Sequence, residues 1–205
     1  MSQNEDREKV LAAFGGKKGL LDSGIPSLLF LIVFNVQHDL HQALYASVIV
    51  AIILTIIRLA MRDTVQHAFS GLIGVLFCAW LANRTGNPSD VFVPKLLINV
   101  VYGSVYLVAN LAGWPILGLM LGPILGENLH WRKVPARKAA YLRTGWLWIA
   151  LFFSRIIVQY PIYRSGNVNL LGTVNLAMGT PLFIATGYGT WMILKSVPSA
   201  KINED

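Results

Sequence analysis

Six stretches of the chain, residues 20–36, 43–60, 65–82, 96–125, 144–162 and 170–194, run almost without charge. Each is about as long as a helix must be to cross a bilayer, or longer. A backbone in hydrocarbon has to satisfy its own N–H and C=O groups, so runs of this kind become helices. The predicted fold is all-α: a polytopic membrane bundle of about six transmembrane helices. Composition agrees. Charged residues make up 13% of the 205 and hydrophobic ones 55%, whereas a soluble domain carries roughly 25% charge. Too few charged groups remain to cover a soluble surface, and disorder requires low hydrophobicity. Cys78 is the sole cysteine, which excludes a disulfide scaffold. The first apolar run has no small-residue cleavage site after it and leads into further spans, so it reads as retained.

Orientation follows from the lysines and arginines between the runs. Twelve lie on the side of the N-terminus: Arg7, Lys9, Lys17, Lys18, Arg62, Arg132, Lys133, Arg137, Lys138, Arg143, Lys195 and Lys201. Three lie opposite, Arg84, Lys95 and Arg164, and two, Arg58 and Arg155, fall within spans. The expected arrangement is a multi-pass protein of the cytoplasmic membrane with both termini cytoplasmic. Residues 1–19 form an N-terminal segment, 20–195 the transmembrane domain and 196–205 a cytoplasmic tail. The basic residues flank apolar runs and make no single face, so no nucleic-acid partner is expected.

The fourth run is long enough for two short spans. That count would put the basic residues of 132–143 outside, so one long helix kinked at Pro115, or a span followed by a re-entrant half, fits better. Pro181 implies a second break, because a proline inside a helix removes a hydrogen bond. Asp22-Ser23-Gly24-Ile25-Pro26 instead reads as a helix start, with Asp or Ser as cap. The strings Gly24-Ile25-Pro26 and Gly113-Trp114-Pro115, followed by Arg62-x-x-Val65-Gln66 and Arg155-x-x-Val158-Gln159, recur in the same order. They suggest an inverted repeat of three plus three spans, as in many secondary transporters.

Small residues recur every four positions at Gly118, Gly122 and Gly126, at Ser70, Gly74 and Cys78, and at Ala177, Pro181, Ala185 and Gly189. Such stripes let helices approach closely, within one chain or between copies in a homo-oligomer. Trp80, Trp131, Trp146, Trp148 and Trp191 lie near span boundaries and read as an interfacial belt.

Ionisable groups within a span cost about 2.5–3.5 kcal/mol each at its centre, so their retention asks for a reason. Arg155 is the deepest. It serves either as a structural group satisfying carbonyls or an aspartate, or as a clamp for an anion or carboxylate. Arg58 lies close to a boundary and can snorkel. Asp22 reads as the only acidic residue near a span core and either caps its helix or pairs with Arg58. Gln159 and Gln66 complete the set of candidate cavity residues. Asn99, Asn110 and Asn175 are further polar groups that can hold helices together.

Other motifs carry little chemistry. Gly15-Gly16-Lys17-Lys18-Gly19 lacks P-loop spacing and reads as a basic approach to anionic headgroups. His38-Asp39-Leu40-His41 lacks the supporting ligands a metal site needs. There is no His-Glu-x-x-His, no Gly-x-Ser-x-Gly and no carboxylate pair, so no enzyme chemistry and no cofactor are expected.

Several strings together resemble a known family. They are Gly15-Gly16-x-x-Gly19-Leu20-x-Asp22-Ser23-x-x-Pro26-x-x-x-Phe30, Arg58-Leu59, Val65-Gln66-x-Ala68-x-Ser70-Gly71-Leu72-x-Gly74-Val75, Trp114-Pro115 and Arg155-x-x-Val158-Gln159-x-Pro161-x-Tyr163. The pattern is similar to the actinobacterial integral-membrane family catalogued as domain of unknown function 3159. That resemblance implies a multi-span cytoplasmic-membrane protein without an assigned activity. A second likeness, to the intracellular septation protein A family, implies envelope or division work and carries no residue roles. Two functions follow as expectations. One is passage of a small solute or ion through a cavity between the two halves, lined by Arg155, Gln159 and Asp22. The other is a non-transporting envelope factor that binds a membrane lipid or a partner protein.

Overall fold

A computed structural model describes residues 16–60 and 65–200, with side chains for 25–57, 59–60 and 72–200. Among these residues the chain is helical, without strands. The helices are α1 (Gly16–Gln37), α2 (Leu40–Ala60), α3 (Val65–Thr85), α4 (Val93–Leu111), α5 (Ile116–Ile124), α6 (Pro135–Arg164), α7 (Val168–Ala177) and α8 (Thr180–Lys195). Single 3-10 turns lie at Pro88–Phe92 and His130–Arg132. Four stretches of the described residues are long and apolar enough to cross a membrane: Leu40–Ile57, Pro88–Leu111, Pro135–Arg164 and Val168–Lys195. The described parts of the first and third runs, Ile25–Gln37 and Leu72–Thr85, are shorter apolar helices. Side chains such as Ile49, Ile56, Val108 and Ile157 are more than half exposed. A surface that apolar suits lipid better than water.

The helix ends follow local chemistry. Asp39 starts α2: its Oδ1 accepts from the backbone N–H of His41 at 2.7 Å and of Gln42 at 3.2 Å. The carboxylate between the two histidines therefore works as a helix cap. At the end of α4, Gly113 adopts a φ of +72°. Trp114 N–H then reaches back to Ala109 O at 2.9 Å, and Gly113 N–H to Asn110 O at 3.1 Å. This is a Schellman turn, followed two residues on by a proline that cannot continue the helix. The same construction closes α5, with Gly126 at φ +74° and Glu127 N–H on Gly122 O.

The fourth run is therefore not one kinked helix. It is a full-length helix, a break and the nine-residue α5, which at 1.5 Å per residue reaches only about 13 Å. The sixth run is broken too, between α7 and α8, with Pro181 in the first turn of α8. At Pro26 the expectation of a helix start fails, since α1 runs from Gly16 with Pro26 inside it. A proline removes one N–H and strains one turn, and membrane helices tolerate this where the freed carbonyl finds another partner. Helix α6 starts at Pro135, so Arg137, Lys138 and Arg143 lie on its first turns and not in a loop.

The chain packs as two compact units. One is built from Ile98–Ile156 and the segment beginning at Met178, the other from Lys17–Leu97 and Ile157–Ala177. These are not the expected three-span halves, because α6 runs from one unit into the other and the last run is divided at its break. The first unit centres on Leu117, Leu121, Trp131, Tyr141, Trp148 and Phe152. Trp148 meets Phe183 edge-on at 5.0 Å and donates to Thr190 Oγ1 at 2.9 Å. The second centres on Phe30, Leu31, Ala43, Leu44, Phe92 and Leu171. There Leu31 occupies the space that a side chain on Gly172 would need.

Two readings of small and aromatic residues change. Trp131 and Trp148 are 0% and 3% exposed and belong to the core, while Trp80 and Trp146 face outward as a belt would. Gly118 and Gly122, the stripe glycines within α5, pack against Trp131, while a Cβ on Gly126 would meet nothing within 4 Å. A Cβ on Gly118 would lie 2.7 Å from Trp131 Cζ2, and one on Gly122 would run into the Asn128 carbonyl and the Trp131 ring. Gly118 and Gly122 form a notch that seats an indole. On α3, by contrast, Gly74 faces open space.

Candidate functional site

Arg155 sits two-thirds of the way along α6, half-buried. Its Nη2 donates to Gly179 O at 2.7 Å, and its buried Nε has no acceptor. Gly179 is the residue at which the last apolar stretch breaks between α7 and α8. Gly179 is the N-cap of α8, and its carbonyl already accepts from Phe183 N–H at 3.1 Å, so the guanidinium is its second donor. The Nε donor of Arg155 remains uncommitted. Arg155 points into the protein, and the hydrogen bond goes to a carbonyl of its own unit.

Gln159, one turn further along, belongs to a different set. It is 1% exposed, and its Oε1 accepts from Asn175 Nδ2 on α7 at 3.2 Å. Asn175 Oδ1 in turn accepts from Lys95 Nζ at 3.4 Å, and Lys95 also donates to Ser27 Oγ on α1 at 3.0 Å. Four helices thus converge on one polar chain. Near it, Asp90 is 7% exposed and accepts from the Tyr163 hydroxyl at 2.8 Å. Of the other candidates, Asp22 on α1, Arg58 on α2 and Gln66 on α3 have side chains outside the described residues.

A third polar centre is an ion pair. Glu127 follows the Schellman turn of α5, and Arg137 is on the first turn of α6. Their side chains are 0% and 4% exposed, with Nη2 to Oε1 at 2.6 Å. Arg137 Nε and the Tyr141 hydroxyl both donate to Glu127 Oε2, at 3.1 and 3.0 Å. The remaining fork of Arg137 donates to Leu194 O at 2.6 Å and Val197 O at 3.2 Å. This ties the end of α8 to the start of α6. The described part of the expected tail packs here too, with Val197 O accepting from Arg137 and Ala200 buried.

Sequence reasoning found Arg155 and Gln159 and missed Lys95, Asp90, Glu127 and Arg137, which it read as loop charges or not at all. Asp22 is not the sole acid close to the apolar core, since Asp90 and Glu127 are buried. The signal for Glu127 was available: it is the single acid between Val91 and Asn203, among ten basic residues. Among the described residues no group of three His, Cys, Asp or Glu side chains gathers as a metal ion would need.

The family model described as protein of unknown function DUF3159 matches residues 14–201. The chain belongs to that family. No curated protein and no solved structure matches it. The DUF3159 match spans all three polar centres, from Ser27 to Val197. It concerns this family alone and carries neither the likeness to septation protein A nor a source organism. What DUF3159 membership adds is that these centres lie within one family domain and not in separate attachments to it.

Proposed function

We propose that this DUF3159 protein is a six-span protein of the cytoplasmic membrane that passes a small solute or ion, with Arg155 on the route. The observation that supports it is the guanidinium at the Gly179 break. Broken helices with an ionisable group beside the break are where membrane transporters hold polar cargo. The uncommitted Nε of Arg155 suits an anion or carboxylate. In this reading Ile25–Gln37 and Leu72–Thr85 are parts of the two further spans. The transmembrane domain is 20–195 with cytoplasmic flanks, and the proposal includes no catalysis. An inverted relation of the two halves is a separate proposal. The different backbone at Pro26, inside a helix, and Pro115, at a break, counts against it.

Proteoliposomes loaded with chloride, acetate or inorganic phosphate test the route. The protein is expected to release at least one of these faster than empty vesicles. Arg155→Lys keeps the charge but loses the planar fork. It is expected to keep its melting temperature and to lower that rate at least about tenfold, the scale of one charge-assisted hydrogen bond. Loss of melting temperature with the rate per folded molecule unchanged would make Arg155 structural. The rival, a non-transporting envelope or division factor binding lipid or a partner, is favoured by one observation: Lys95, Asn175 and Gln159 bond to one another and fill their own interior. It requires that release never exceed that of empty vesicles.

The orientation has its own test. On a background lacking Cys78, a membrane-impermeant thiol reagent applied from outside is expected to label Thr85→Cys and spare Ala136→Cys, both at exposed positions. The opposite pattern reverses the topology.

A further inference from the structure

We propose that the turn between α4 and α5 is a headgroup site for an anionic phospholipid, formed by Arg132, Lys138 and Trp114. It does not depend on whether a solute is transported. The argument begins with charge. Between Val91 and Asn203 the chain has ten basic residues and one acid, Glu127. Glu127 is buried and committed to Arg137. Among the described residues neither Arg132 nor Lys138 has an ion-pair partner.

Both cations nevertheless lie at the turn, and one of them is held there. The Arg132 guanidinium stacks on the Trp114 ring with its central carbon 3.4 Å from the ring centroid, and its buried Nε lacks an acceptor. Lys138 Nζ lies 3.8 Å from where a Cβ on Gly113 would be. The two charges therefore flank consecutive residues of one Schellman turn. Stacking orients the guanidinium fork before any ligand arrives, which reduces the entropy lost on binding. What the corner lacks is an anion with several oxygens, and a phosphate diester supplies it. Two neighbours favour a lipid over free phosphate. Leu111 is 68% exposed and Trp114 41% exposed, giving acyl chains an apolar surface beside the cations. In the orientation proposed above, on which this step rests, the site also lies on the side where basic residues gather, facing the anionic leaflet of a cytoplasmic membrane.

Native mass spectrometry of the full-length protein in detergent, with phosphatidylglycerol, phosphatidylcholine or inorganic phosphate added, tests this. Phosphatidylglycerol is expected to be retained in preference to phosphatidylcholine. Arg132→Gln and Lys138→Gln should each weaken its binding about fivefold, the contribution of one basic residue at an anionic surface. Arg143→Gln removes the same charge from an exposed position on α6 and should leave binding unchanged. If Arg132→Gln fails to fold, Lys138→Gln carries the same comparison. Equal retention of the two lipids overturns the proposal, as does an equal loss in Arg143→Gln, which would mean diffuse attraction. Displacement of phosphatidylglycerol by an equal concentration of inorganic phosphate also overturns it, leaving a site for free phosphate.

Discussion

Gly122→Leu is expected to destabilise the protein by about 3–5 kcal/mol, the cost of losing a large buried aromatic from its seat. A Cβ at this position meets the Asn128 carbonyl, which belongs to the backbone of a tight turn and has no rotamer to yield. It also lies 3.0 Å from Trp131 Cδ1 and Nε1. Trp131 would have to leave the notch, and with it the edge-on contact to Tyr141 at 5.2 Å. Leu119→Ala, one turn away and 40% exposed, serves as the control and should cost far less. Thermal unfolding in detergent compares the two. Similar melting temperatures would show that the α5 glycines face outward and that Trp131 packs elsewhere.

Glu127→Met should be as severe, again about 3–5 kcal/mol, because it leaves the Arg137 charge buried with no carboxylate. The Tyr141 hydroxyl loses its acceptor at the same time. Removing the charge as well, in Glu127→Met with Arg137→Met, should cost clearly less than the two single changes added together. An apolar pair fills the space without a desolvated ion. The double-mutant cycle reads this coupling directly. Strict additivity would mean that water already screens the pair.

What could be read from the sequence depends on the range of the physics involved. Among the described residues each α-helix overlaps one of the apolar runs, since hydrocarbon imposes its condition residue by residue. The breaks near Pro115 and Pro181 were legible because a missing N–H is a local fact. Pro26 was misread, since whether a proline ends a helix depends on what meets the freed carbonyl, and that partner is remote in the sequence. Arg155 stood out by its depth, yet its acceptor lies 24 residues away. Lys95 sits at the edge of a run and looks like a loop charge. Its role appears only when Ser27 and Asn175, 68 and 80 residues distant, come to it. Counting charges by side gave Arg137 the same weight as its neighbours, because the count cannot see that one of them has a buried counter-ion. Trp131 looked like a belt residue for the same reason: an indole between apolar run and basic loop suits an interface and a notch equally well.

The notch also imposes an order on synthesis. Alone, a helix as short as α5 is barely stable, and in a bilayer it is too short to be held as a span. What stabilises it is an indole that leaves the ribosome later than the helix itself. Until Trp131 arrives, α5 has two bare glycines where its main contact should be. The arginine that neutralises Glu127, at the end of the same turn, comes later still. This stretch of the protein is therefore secured backwards, with each piece waiting for the residue that follows it.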